Sequence, residues 1–193
     1  MPRMMIHELL FTKQHDFPGG GLMCSSAATM MCVYMSSTKP VSMKHLSASK
    51  IDEIMSIASD FHTAHYKNTM ATIWEVITMS KLTERISKPL SMIKISKITE
   101  ISGLIRGTPP EMASLTCTDF HQAVTGLKPG TCYAVTFNKH TTSFGLQAET
   151  YWLCDSLTGT FHTTGDLAEF IELHEDRLPA HPTHIAYSGA LFT

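Results

Sequence analysis

The chain has 193 residues, 43% of them hydrophobic, enough to bury one substantial core and to set the expectation of a single domain. A net charge of −2 provides no basic stripe, which argues against a nucleic-acid binder. No run approaches the roughly 18–20 apolar residues that a bilayer crossing needs.

Five widely spread cysteines without a CxxC pair, and histidines scattered through the chain, argue against a metal site or a disulfide framework. The N-terminus lacks a secretory apolar segment, so free thiols in a reducing compartment are expected.

Residues 4–12 form a short apolar stretch whose period fits strand or helix, ended by Pro18 and Gly19-Gly20-Gly21. From Ser25 to about Met35, small and apolar residues without surface charge predict a central, buried helix. A second helix is expected over Ser47 to Ala58, capped by Ser47 or Ser49, with Ile51, Ile54, Met55 and Ala58 on one face.

The stretch from His62 to Ser80 reads as helical or mixed, and residues 81–106 settle on no period. Thr108-Pro109-Pro110 is a break, and Thr118 is placed to cap a short helix running to Val124. The last third changes character. Cys132 to Phe137, Thr141 to Leu146 and Thr150 to Cys154 are β-prone runs separated by turns, and Gly165 to Leu173 reads as a further helix. Helices first and an antiparallel sheet afterwards give an α+β fold.

The chemistry concentrates in three places. Cys24 follows the glycine turn and opens a helix, where unpaired N–H groups and the positive dipole end favour a thiolate and can receive an oxyanion. The glycines are expected to let a substrate backbone approach closely. His140, in Lys139-His140-Thr141, and Asp155, in Leu153-Cys154-Asp155-Ser156, fall on successive strands if Phe144–Leu146 pairs with Tyr151–Leu153. Cysteine, histidine and aspartate in that order suit a nucleophile, a base and a group orienting the base.

Gln14 could donate its side-chain amide to an oxyanion, and His162 is the alternative base. His15 and His174 are surface candidates without a nameable partner. Plainer readings stand beside these: Cys24 as a small buried residue, His140 as a turn residue, Asp155 as a turn cap and Gln14 as a solvated loop side chain. Cys32 reads as packing.

Taken together, Gln14, the Gly19–Gly21 run, Cys24, Ile51-Asp52-Glu53-Ile54, His140-Thr141 and Tyr151-Trp152-Leu153-Cys154-Asp155-Ser156 resemble the ubiquitin-specific protease domain that begins the herpesvirus large tegument protein. The order of segments covers nearly the whole chain. The resemblance implies a papain-like cysteine-protease fold, with a helical N-terminal part, a central helix carrying Cys24 and a C-terminal antiparallel sheet. It also implies one domain over residues 1–193 at the start of a longer protein.

Its implied activity is hydrolysis of (iso)peptide bonds after the C-terminal Gly-Gly of ubiquitin or a similar modifier. The implied catalytic residues are Cys24, Asp155 and Gln14. No cofactor is implied, ubiquitin or ubiquitinated proteins are the partners, and the setting is the virion tegument and the host cytoplasm or nucleus. One position departs: the family places its catalytic histidine two residues after the aspartate, where this chain has Leu157. Either His140 serves as base, or the domain binds without cutting, or the likeness is one of fold.

Overall fold

Strand alternation explains most of the architecture. The computed structural model describes residues 7–36, 43, 46–83, 98–106, 120–177 and 185–193. Seven strands form one antiparallel sheet: β1 (His7–Leu10), β2 (Ile98–Arg106), β3 (Thr131–Phe137), β4 (His140–Gln147), β5 (Thr150–Asp155), β6 (Thr160–Thr164) and β7 (Ile185–Phe192), in the spatial order β1-β6-β5-β4-β3-β7-β2.

Within β3 and β5 successive side chains enter different cores. Cys132, Ala134, Trp152 and Cys154 face one side, and Tyr133, Val135 and Leu153 face the other. Both faces are covered, which is why these strands read as nearly unbroken apolar runs.

The first face carries α1 (Cys24–Met35), α2 (Ala48–His65) and α3 (Ile73–Thr83). Eleven residues of α1, from Cys24 to Val33 and Met35, are buried. Such a helix cannot be amphipathic, and its small residues allow close approach to the sheet. The opposite face carries α4 (Phe120–Thr125) and α5 (Leu167–Glu175), with Val124, Phe144, Leu153 and Phe170 in the second core.

Caps fix the helix starts. Ser47 accepts the Lys50 N–H (3.2 Å), as expected, although α2 runs on to His65 rather than stopping near Ala58. The expected mixed stretch after His62 resolves into the end of α2, a turn and α3. Thr72 and Glu75 form a reciprocal capping box at α3, with Thr72 N–H on Glu75 Oε2 (2.7 Å) and Glu75 N–H on Thr72 Oγ1 (3.2 Å). Asp166 caps α5 through the Ala168 and Glu169 N–H groups.

Residues 7–10 are strand, and the undecided region 81–106 contributes β2 along with the end of α3. The expected cap Thr118 and the break at Pro109-Pro110 lie outside the described residues. Among the described residues no helix is long and apolar enough to cross a membrane.

Candidate active site

The site is built at one end of the sheet. β3 and β4 are joined by Asn138-Lys139, both at positive φ (48° and 62°), the two-residue turn whose twist matches that of the strands it joins. This turn sets His140 at the first position of β4. In the β4–β5 register Ser143 faces Cys154 and Phe144 faces Leu153, the pairing expected from sequence. That register puts His140 and Asp155 on the same side of the sheet as diagonal neighbours, within reach of each other.

The ring Nε2 of His140 and the Asp155 carboxylate Oδ1 are 2.8 Å apart. With Nε2 engaged, Nδ1 is the ring nitrogen left for Cys24, whose interaction with the ring helps to raise the His140 pKa. Asp155 does cap its turn as well, since the Leu157 N–H donates to Oδ1 (2.9 Å).

Cys24 is 5% exposed, and no side chain caps the helix ahead of it, so the first-turn N–H groups stay unclaimed by side chains. Burial opposes ionisation of its thiol. Hydrogen bonds from His140 and from the backbone and hydroxyl of Thr141, together with the charge of His140, outweigh that and hold the thiol below its ordinary value. The Thr141 hydroxyl is itself fixed by Ser25 Oγ (3.1 Å) and Thr136 Oγ1 (2.7 Å).

For His140, burial pulls the ring down. The hydrogen bonds and charges of Asp155 and Cys24 win, and its pKa rises to about 9. Burial likewise opposes the Asp155 charge, but His140, Arg177 and the Leu157 N–H bring its carboxyl down to about 2. The same contacts that keep His140 protonated and Asp155 ionised at neutral pH therefore favour the thiolate form of Cys24. Burial instead pushes the thiols of Cys32 and Cys154 up. A low thiol thus marks Cys24 off from these two structural cysteines.

Gln14 is 2% exposed rather than solvated. Its N–H donates to the Ser156 carbonyl (2.8 Å), and its Oε1 accepts the Ser156 hydroxyl (2.6 Å), which leaves the NH₂ end of the amide to donate. Two glycines of the run, Gly19 and Gly20, are required by the loop itself. A Cβ on Gly20 would stand 1.6 Å from the Gln14 carbonyl oxygen, and Gly19 has φ +70°. Asp52 accepts the Thr12 N–H (2.8 Å) and so ties the same loop to α2.

A cleft of about 210 Å³ opens beside Cys24, between Met70–Trp74 on one wall and Thr136, Lys139, Ser188 and Gly189 on the other. The capping box at Thr72 and Glu75 holds the first wall.

Other candidates separate from the site. His162 on β6 pairs with Glu8 (3.6 Å) rather than with the thiol. His15 is exposed. His174, expected at the surface, is buried edge-on against Phe144 and Phe170 (ring centroids 4.6 and 4.7 Å), and burial lowers it to about 3. The Leu157 side chain is 39% exposed.

The sequence reading missed Thr141, Ser156 and Arg177, whose guanidinium binds Asp155 Oδ2. Only the Thr72-x-x-Glu75 capping signature and the Asn138-Lys139 turn left a trace that could have been used. Among the described residues no cluster of histidine, cysteine or carboxylate side chains could hold a metal ion.

No family model and no curated protein matches this sequence. Among solved structures, the chain is similar to the ubiquitin-specific protease encoded by murine cytomegalovirus tegument protein M48, solved in complex with a ubiquitin-based suicide substrate. The TM-score is 0.60 at 12% identity, over 97% of this chain and 86% of that one. A weaker likeness, TM-score 0.41 at 11% identity over 88% and 90% of the two chains, is to the Pseudomonas avirulence protein AvrPphB. The first of these shows that the chain shares its fold, mixed helices and antiparallel sheet, with a viral cysteine protease.

Proposed function

We propose that this protein is a cysteine protease that hydrolyses the (iso)peptide bond after the C-terminal Gly-Gly of ubiquitin or a similar modifier. The observation that carries the hydrolase reading is the placement of His140 between the Asp155 carboxylate, 2.8 Å from its ring, and the Cys24 thiol, whose ionisation it favours. The choice of ubiquitin is supported by the likeness in fold to a viral ubiquitin-specific protease, and a tegument setting comes with that choice.

In this reading the Cys24 thiolate attacks the carbonyl carbon, and the charge that develops on oxygen is received by the Cys24 N–H and the Gln14 amide. His140, protonated at neutral pH, gives its proton to the departing lysine amine and leaves a thioester on Cys24. The neutral ring then takes a proton from water as it attacks the thioester, which frees the modifier and restores the thiolate beside a protonated His140. Asp155 holds the ring in the tautomer and orientation that both steps need. Leu157 does not interrupt this path, because the base comes from β4.

The test is hydrolysis of ubiquitin carrying a C-terminal amide-linked fluorophore. The native chain is expected to release it and Cys24→Ala to release none. Equal rates in the two proteins would rule out the mechanism. Ubiquitin binding without turnover would make the protein a binding module, and turnover of unrelated peptides alone would make it another kind of acyl hydrolase.

A further inference from the structure

One charged side chain at the site has no role in the steps above. Arg177 follows α5, is half-buried, and binds the Asp155 oxygen that His140 does not use. We propose that Arg177 is a positioning residue that fixes the Asp155 carboxylate from behind and sets the pH range over which Cys24 and His140 exist as an ion pair. This inference rests on the hydrolase reading of that pair, and it gives Asp155 a second cation on the side of the sheet away from α1.

The placement is specific. Oδ1 of Asp155 already serves His140 Nε2 and the Leu157 N–H, so Oδ2 is the oxygen open to a further donor. A guanidinium there stops the carboxylate from rotating and completes its hydrogen bonding, which a buried carboxylate needs. The other groups that Arg177 acts on are Cys154 on β5, His162 on β6 and His174 on α5. Burial pushes Cys154 up and holds both histidines below the ordinary imidazole value, so all three are neutral at pH 7.

In the ion-pair form of the site the charges alternate: Arg177 cation, Asp155 anion, His140 cation and Cys24 anion. Loss of the outer cation makes the row net negative, which favours protonation at every member. Both limits of the ion pair then move toward higher pH, by roughly one pH unit for a unit charge at this range.

The test needs no substrate. Alkylation of Cys24 by iodoacetamide, followed by peptide mass spectrometry on the full chain, gives the pH midpoint at which the thiolate forms. In the native chain the midpoint is expected well below that of a free thiol. A native midpoint at the free-thiol position would instead refute the hydrolase reading itself.

With the native midpoint low, Arg177→Gln is expected to raise it by roughly one unit, and Arg177→Lys to leave it in place. A folded Arg177→Gln with an unmoved midpoint overturns the inference and leaves the hydrolase reading standing. If the glutamine variant does not fold, Arg177→Met replaces it, filling the same space without charge. A lysine variant that shifts as far as the neutral one also overturns the inference.

Discussion

Replacing Asp155 by asparagine keeps the shape of the site and removes the charge that faces the His140 ring. In the native chain that ring titrates at about 9 against 6.5 for a free imidazole. The difference is a factor of about 300 in favour of the charged form, worth about 3 kcal/mol. Asp155 supplies the first of the contributions that raise it, ahead of Cys24, while burial alone would lower it. Asp155→Asn should therefore bring the midpoint down toward 6.5.

At pH 8 the ring would fall from about 90% to about 3% protonated, a loss of about 30-fold in the form that can protonate a leaving amine. At pH 6 most of the ring is protonated in either protein, so the activity difference there should be small. The assay is NMR titration of ring-labelled histidine, with the His140 signal assigned by its disappearance in His140→Gln, beside fluorophore release at both pH values. Circular dichroism at low temperature checks folding, because Arg177, half-buried, loses its counterion. A native midpoint near 6.5, or a midpoint that Asp155→Asn does not move, would refute the reasoning.

Further expectations concern the loop and the acid limit. Gln14→Ala should lower kcat by about 10²–10³ with KM little changed, if its amide receives the oxyanion; steady-state kinetics decide, and a change confined to KM counts against that role. Gly20→Ala should destabilise by about 1–3 kcal/mol or more in urea unfolding, since its Cβ would meet the Gln14 carbonyl and the loop must shift. Its activity should fall with the displaced Gln14. Asp155 is depressed from 3.8 to about 2, so the stability it contributes is present above pH 4 and lost as pH falls toward 2, about 2 kcal/mol in all. Acid unfolding of Asp155→Asn should lack that component.

Much of the site was legible because its parts have local signatures. A glycine turn before a cysteine marks a helix start, and Ser47 and the apolar face of α2 follow helical spacing. The β4–β5 register could be read from two β-prone runs, and it alone brings His140 to Asp155. Other parts depend on contacts that no local pattern encodes. Gly20 is constrained by Gln14 through the fold of the loop, a contact that the sequence alone does not reveal. Arg177 lies 22 positions beyond Asp155, after a helix whose packing decides where it points. His174 has the composition of a surface residue, and only the aromatic pair Phe144 and Phe170 shows why it is buried. Leu157 stands two positions after Asp155, and its side chain is partly exposed while its N–H serves Asp155.

The most direct measurement is reaction of the full chain with ubiquitin bearing a C-terminal electrophile, read by intact-mass and peptide mass spectrometry. A working thiolate beside a ubiquitin-binding cleft should give one adduct, located on Cys24, absent in Cys24→Ala and strongly reduced in His140→Gln. A Cys24 that iodoacetamide labels at neutral pH but the ubiquitin reagent never does would contradict ubiquitin as the substrate. A Cys24 that neither reagent labels would contradict the catalytic site itself.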